Sequence, residues 1–418
     1  MIFDLDNWQE IWAAMRKNKL RTTLTAFGVF WGIFMLVIML GSGAGLRNGV
    51  LQEFSGTATN SFFMWTQVTS KPYKGLQPNR HYDFTVEDAE ALRQNVGELQ
   101  LVCTMNQLGG YSSENNVVRG LKTAAFNVYG IEPEIRRIQQ FNLTKGRFIN
   151  DMDIRDRRKV AVIGDKVVAK LFAPDENPIG EYVKINGVNF MVMGTIRGTG
   201  QGEQGREQAG SIYLPFTSFG QAFNMGNRVG WFSVMSAGNV PAAVAEDKAM
   251  ALLKERHKIA PDDKRAIGHW NMGNEFNKLN GLFTGIEMLV WFVGIGTLLA
   301  GIIGVSNIML IVVKERTREI GVRRAIGATP VAIVSQLIME SVVLTSFAGY
   351  FGLVVGVGLL HLVDTNMPPD AGMFLHPGVD LAVAMKALAI LIFSGALAGF
   401  IPAQRALEIS PVEALRTE

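Results

Sequence analysis

The chain has 418 residues, of which 48% are hydrophobic and only 18% charged. Soluble domains carry about a quarter charged residues, so part of this chain belongs in lipid. The net charge of +3, with no basic run interleaved with aromatics, argues against nucleic acid, and a single cysteine excludes a disulfide framework or a Cys-based metal site.

Residues 1–21 place Leu5, Trp8, Ile11, Trp12 and Met15 at helical spacing with charges opposite, which predicts an amphipathic helix on the inner face of a membrane. An uncharged stretch, 22–46, follows between Arg21 and Arg47. It exceeds the roughly 20 residues that cross about 30 Å of hydrocarbon, and it is too long for the apolar core of a cleaved leader.

The segment 47–281 reads as a folded α+β domain. Thr85 followed by Asp88 resembles a capping box that opens a helix through Ala89 and Leu92. Lys159–Gly164 is a short apolar strand with a helical stretch, Asp165–Phe172, behind it. Glu181–Ile185 and Val188–Ile196 flank Asn186-Gly187, the strongest short hairpin signal. Residues 198–210 are rich in Gly and Gln and read as a flexible loop; Ser211–Pro215 is a further strand and Val240–His257 a helix. Cys103 reads as a small buried hydrophobe.

Three further spans are expected at 282–313, 331–361 and 381–404, with a short external loop at 362–380 and a tail at 405–418. Lys and Arg crowd the flank before the first span and the 314–330 connection, while 362–380 has neither. The positive-inside bias then puts both termini and 314–330 in the cytoplasm and 47–281 outside. The expected fold class is an α-helical membrane protein with four transmembrane helices and a large extracytoplasmic α+β domain inserted between helices 1 and 2.

Small residues recur four apart in the spans: Gly28 and Gly32, Gly41 and Gly45, Gly352 and Gly356. That spacing lets helices approach closely in lipid, within one chain or between copies. Glu287, Glu340 and Lys386 lie near span boundaries and read as snorkelling to the interface.

Between the second and third spans, Lys314–Arg324 reads KERTREIGVRR. A helix here sets Glu319 four residues before Arg323, the favourable order for an ion pair. Gly327 supplies a left-handed stop, and Thr329 and Pro330 cap and begin the next span. Such a helix, joined to two spans, suits the transmission of force from a soluble partner; it also fits a solvated positive-inside turn.

Asn307–Thr329 (NIMLIVVKERTREIGVRRAIGAT) resembles the signature of the MacB/FtsX-like permeases, the macrolide-exporter and lipoprotein-release superfamily of ABC transporters. Lys17–Gly32 resembles that family's entry into the first span, and Pro402–Arg416 its closing motif. Gly146–Phe148, Val160–Gly164, Leu171–Gly180 and Tyr213–Pro215 resemble its periplasmic core domain. The resemblance implies an inner-membrane permease that docks a separate ATPase through a cytoplasmic coupling helix at 314–330. Candidate contacts are Glu315, Arg316, Arg318, Glu319, Arg323 and Arg324, with Gly327 and Ala328 in the turn. Family members with a fused ATPase carry a Walker A motif, whereas these residues contain no Gly-Lys dipeptide and no HExxH or nucleophile elbow. No catalytic, metal or cofactor residue is expected, with ATP and Mg used by the partner ATPase dimer.

The resemblance further implies a pair of permeases, a homodimer or a heterodimer with a related chain, working by mechanotransmission. A periplasmic adaptor and an outer-membrane exit duct are its possible further partners, and a drug, peptide, siderophore or lipoprotein its substrate. A signalling scaffold that activates a cell-wall hydrolase, as divisome FtsX-like proteins do, is the alternative.

Overall fold

The computed structural model describes residues 19–54, 56–110, 114–199, 203–367 and 374–408. The expected amphipathic helix near the start and most of the expected tail lie outside them. The chain divides into two compact units, one formed by residues 1–49 and 282–418 and the other by 50–281.

Helix α1 (Lys19–Phe54) leads into the second unit. In chain order follow β1 (Ser61–Thr66), β2 (Phe84–Thr85), α2 (Val86–Asn95), β3 (Leu99–Gln107), β4 (Asn115–Arg119), β5 (Lys122–Ile131), β6 (Asn142–Gly146), α3 (Asp151–Arg155), β7 (Val160–Gly164) and α4 (Asp165–Leu171). The unit continues with β8 (Tyr182–Ile185), β9 (Val188–Arg197), α5 (Glu203–Ala209), β10 (Ser211–Pro215), α6 (Phe216–Ala222), β11 (Arg228–Val229), β12 (Trp231–Ser236), α7 (Ala242–Arg256) and β13 (Ile267–Asn271).

The main sheet runs β10–β7–β9–β8–β4–β5–β3–β12–β1–β13, with β6 on β9. Strand β10 also pairs in parallel with β5, Ser211 opposite Asn127, so the path from β5 through β4, β8, β9 and β7 to β10 closes on itself. Val117, Phe126, Val128, Ile163, Val183, Ile185, Phe190, Val192, Ile212 and Leu214 form the core of that closed part, joined by Val167 and Leu171 of α4 and Phe219 of α6. Closure removes the open edges that a sheet otherwise exposes. At the β8–β9 turn Asn186 and Gly187 have φ of 43° and 91°, the left-handed pair that matches the twist of two hairpin strands.

The other arm, β3–β12–β1–β13, is antiparallel and packs on α2 and α7. Ala242, Ala245, Ala249 and Leu253 recur at helical spacing along α7 and are buried with Phe62, Met64, Phe84, Leu92 and Phe232. Asp88 fixes the start of α2: its Oδ2 accepts from the Thr85 backbone at 2.9 Å. Its Oδ1 accepts from Arg256 Nε at 2.7 Å, which ties α2 to α7.

The flexible loop expected at 198–210 is corrected over 203–209, which form α5. The helix lacks an apolar stripe and is held through polar side chains. Gln204 Nε2 donates to Thr57 Oγ1 at 2.9 Å, and Gln208 Nε2 donates to the Gln140 carbonyl at 3.0 Å. Cys103 lies fully buried in β3, and burial pushes its thiol pKa up.

The first unit is helical: after α1 come α8 (Met272–Glu315), α9 (Thr317–Ala325), α10 (Pro330–Asn366) and α11 (Leu381–Leu407). Four of them, α1, α8, α10 and α11, are long and apolar enough to cross a membrane. Their outward faces carry Phe292, Phe347 and Phe393, each more than half exposed, as lipid contact requires. The protein is a membrane protein. Helix α8 begins at Met272, ahead of the apolar stretch, and α11 continues past Pro402.

Candidate functional site

The charged connection between the second and third apolar helices is built from four local devices. Helix α8 ends at Glu315, and Arg316, with φ −100° and ψ 13°, breaks the helix before α9 begins. Thr317 Oγ1 returns to the Lys314 carbonyl at 2.8 Å, satisfying one of the orphan acceptors at that end. At the far end Gly327 takes φ 102°. The Ala328 amide donates to the Arg323 carbonyl at 3.0 Å and the Gly327 amide to that of Arg324 at 3.1 Å, a complete Schellman stop. Thr329 then caps α10, accepting from the Ala332 amide at 3.4 Å, with Pro330 in the first turn.

Three arginines fasten this short helix to its neighbours. Arg316 Nη1 donates to Glu340 Oε1 of α10 at 3.1 Å, where Glu340 is only 8% exposed. Arg323 reaches Gln336 Oε1 on α10 and Glu319 Oε1 on its own helix, both at 2.9 Å. Arg324 Nη1 donates to the Leu407 carbonyl at 2.8 Å, capping the last turn of α11. Below them Ile320 is buried with Ile333, Leu337, Ala403 and Ala406. The snorkelling expected of Glu340 is therefore corrected: it points inward because Arg316 neutralises it there. Glu287 and Lys386 are exposed.

The opposite face of α9 is open. Arg318, Glu319, Val322, Ala325 and Ile326 are exposed, as are Glu315, Gly327 and, beyond the turn, Val331; Ala328 is half-buried. Ile326 is 80% and Val331 76% exposed. Ile326 thus stands exposed beside Arg318 and Glu319, charges of opposite sign.

Of the residues singled out from sequence, Arg316, Arg323 and Arg324 spend their donors inside the chain, while Glu315, Arg318 and Glu319 face outward. Sequence reasoning passed over Val322, Ile326 and Val331, and it missed Gln336 and Glu340 as the arginines' partners. A lone glutamate inside an uncharged run that follows an arginine-rich turn was the available signal.

The glycines divide as clearly. A Cβ on Gly352 would stand 2.6 Å from the Phe30 carbonyl oxygen, and one on Gly356 2.8 Å from Val37 Cγ1, so both seat α10 against α1. Gly41 abuts Leu360, Gly45 lies against Phe374 and Pro377, and Gly32 meets Thr297 of α8 at ordinary contact distance. Gly28 has nothing within 4 Å. An unforeseen pair, Gly395 and Gly399 of α11, receives Thr345 and Ser341 of α10.

Two families match in sequence order: the MacB-like periplasmic core domain over residues 22–255 and the FtsX-like permease C-terminal domain over 291–411. The pyoverdine export ATP-binding/permease protein PvdT of Pseudomonas putida (strain KT2440) is 30% identical across 99% of this chain and 60% of its own length. The macrolide export ATP-binding/permease protein MacB of Shewanella sp. (strain W3-18-1) is 30% identical across 97% of this chain and 59% of its own. The chain thus spans about three-fifths of the length of these curated relatives. The crystal structure of the periplasmic region of MacB from Actinobacillus actinomycetemcomitans has 22% identity and a TM-score of 0.43, covering 54% of this chain and 94% of that one. This chain belongs to the MacB/FtsX-like family of ABC transporter permeases.

Proposed function

We propose that the chain is the membrane-embedded permease of an ABC-type exporter, moved by an ATP-binding subunit that docks on the open face of α9. ATP is bound with Mg2+ and hydrolysed on that subunit, and the permease works as a homodimer. The α+β unit lies on the far side of the inner membrane, inserted between the first two spans, with both chain ends on the cytoplasmic side. Movement of α9 is passed to the spans and on to the α+β unit, which expels cargo on the outer side.

The observation that carries this reading is the two-sidedness of α9. One face is fastened by Arg316, Arg323 and Arg324 to α10 and α11, while Arg318, Val322 and Ile326 are left for a partner. A force applied to such a helix has rigid links along which to travel. Among the described residues, the buried hydroxyls of the third and fourth spans bond within their own helices, which supports movement of the α+β unit over passage of polar cargo between the spans. Ser341, Thr345 and Ser394 are buried and return their hydroxyls to Leu337, Ser341 and Leu391 carbonyls of their own helices. The relatives are named for pyoverdine export and macrolide export, which favours a siderophore or a drug over a lipoprotein as cargo. A periplasmic adaptor and an outer-membrane duct would complete the path.

The test is co-purification of an ATP-binding subunit with the tagged full chain from native membranes. The double substitution Val322→Asp, Ile326→Asp should abolish recovery of a Walker A-bearing subunit while membrane insertion and thermal stability stay unchanged. Full recovery with that variant overturns the docking assignment.

A further inference from the structure

An open cleft of about 360 Å³ in the α+β unit is lined by Gly56, Thr57, Ala58 and the run Arg136–Phe141. Its two walls are cross-linked. The Gln140 amide donates to the Gly56 carbonyl and the Ala58 amide to the Ile138 carbonyl, each at 2.8 Å. Helix α5 buttresses both walls through Gln204 on Thr57 and Gln208 on the Gln140 carbonyl. The cleft is therefore a preformed feature, not a gap between loose loops.

Its charge is one-sided. Arg136 and Arg137 line it, are exposed, and form no ion pair among the described residues. The Arg136 guanidinium rests 5.3 Å from the centre of the Phe148 ring, which fixes its direction without neutralising it. Of the nearby acids, Glu132 is turned away to Arg93 at 2.8 Å and Thr104 at 2.6 Å, and Glu134 does not line the cleft. Beyond the lip at Phe141, exposed Arg197 stands opposite Asn142 in the β6–β9 pairing. Two unpaired guanidinium groups beside amide and hydroxyl groups suit the oxygens of a phosphate, which arginine engages through paired N–H donors.

We propose that this cleft binds a phosphate-bearing anion, with Arg136 and Arg137 as the clamp. Covalent connection limits where such a ligand is met. Gly56 is two residues past Phe54, where α1 ends, and nine past Arg47, the first charge after the apolar stretch. Nine residues reach about 30 Å at most when fully extended, so the chain holds this wall within that distance of that charge. Both the headgroup of an anionic phospholipid and a soluble phosphate ester can be presented there. The assignment does not rest on the docking of an ATP-binding subunit.

The full chain, purified in a neutral detergent, is examined by native mass spectrometry with phosphatidylglycerol or phosphatidylcholine, and by calorimetric titration with glycerol 3-phosphate. Wild type should retain phosphatidylglycerol preferentially, and Arg136→Ala with Arg137→Ala should lower the most tightly held fraction at least fivefold. Removing the same charge elsewhere on the unit, Lys166→Ala with Lys184→Ala, should change nothing. Arginine-dependent binding of glycerol 3-phosphate without preference between the lipids also supports the site and places its ligand in solution. Wild-type retention of both ligands by the arginine variant, or an equal loss in the lysine control, overturns it.

Discussion

Arg316 and Glu340 meet 3.1 Å apart where α8 breaks into α9, the carboxylate 8% exposed and the guanidinium side chain 22%. They join the break to α10 across the connection, the carboxylate buried and the guanidinium half-buried beside it. Removing one partner of a buried pair strands the other's charge, which typically costs about 3–5 kcal/mol, whereas replacing both with apolar side chains is often neutral. Arg316→Leu and Glu340→Leu should each lower the thermal stability of the purified full chain, and the double variant should lie closer to wild type than either. Singles that unfold like wild type would remove the pair from the account of α9.

Close approach of α10 to α1 gives a second, purely steric contrast. Gly352→Ala brings a Cβ to 2.6 Å from the Phe30 carbonyl oxygen, and backbone cannot swing aside as a side-chain tip can. The expected cost is about 1–3 kcal/mol, read as lost yield of monodisperse protein. Gly28→Ala faces open space and should behave as wild type. Equal tolerance at both positions would mean that α1 and α10 do not pack this way.

Local chemistry was the most legible part of this chain. The Asn186-Gly187 hairpin, the Thr85–Asp88 contact, the Glu319–Arg323 pair and the Gly327, Thr329 and Pro330 punctuation each depend on residues within five positions of one another. What stayed hidden depends on long-range closure. The parallel pairing of β10 with β5 joins segments about eighty residues apart, and no periodicity announces it. Helix α5 escaped notice because glutamine side chains hold it in place of an apolar stripe. The proposed docking face was half legible: charge marked the segment, but only the fold shows which arginines are consumed internally and that Ile326 is left outside.

Acid should weaken the α+β unit through Asp88. Burial alone would raise the pKa of this carboxyl. Hydrogen bonds from His257 and Arg256, the charge of His257 and the Thr85 amide outweigh burial and hold it at about 2. A pKa depressed on folding stabilises the unit fully above the unfolded value of about 3.9 and loses that contribution as pH falls towards 2, about 2 kcal/mol in all. Asp263, held at about 2 by Ser70 and neighbouring amides against the cost of burial, acts in the same direction. Chemical unfolding of the full chain followed by tryptophan fluorescence should show declining stability between pH 4 and pH 2. Asp88→Asn should be weaker at pH 7 and show a flatter decline; an Asn variant with the wild-type acid slope would assign the loss elsewhere.

Topology is open to a direct chemical test, and the structure selects the positions for it. The native thiol is no use as a reporter: Cys103 is fully buried, and burial raises its pKa, so it should stay unlabelled in folded protein. Leu121, in the β4–β5 turn, is completely exposed, and Ile326, beside the Gly327 stop, is 80% exposed. Neither side chain holds a core together, so cysteine at either position should leave the fold intact. If the α+β unit faces outward and α9 inward, a membrane-impermeant maleimide added to spheroplasts that lack the ATP-binding partner labels Leu121→Cys and leaves Ile326→Cys unreacted until the membrane is permeabilised. Labelling of Ile326→Cys in sealed cells, with Leu121→Cys protected, would place α9 on the outer side. An ATP-binding partner could not reach it there, and the proposed coupling would fail with the topology.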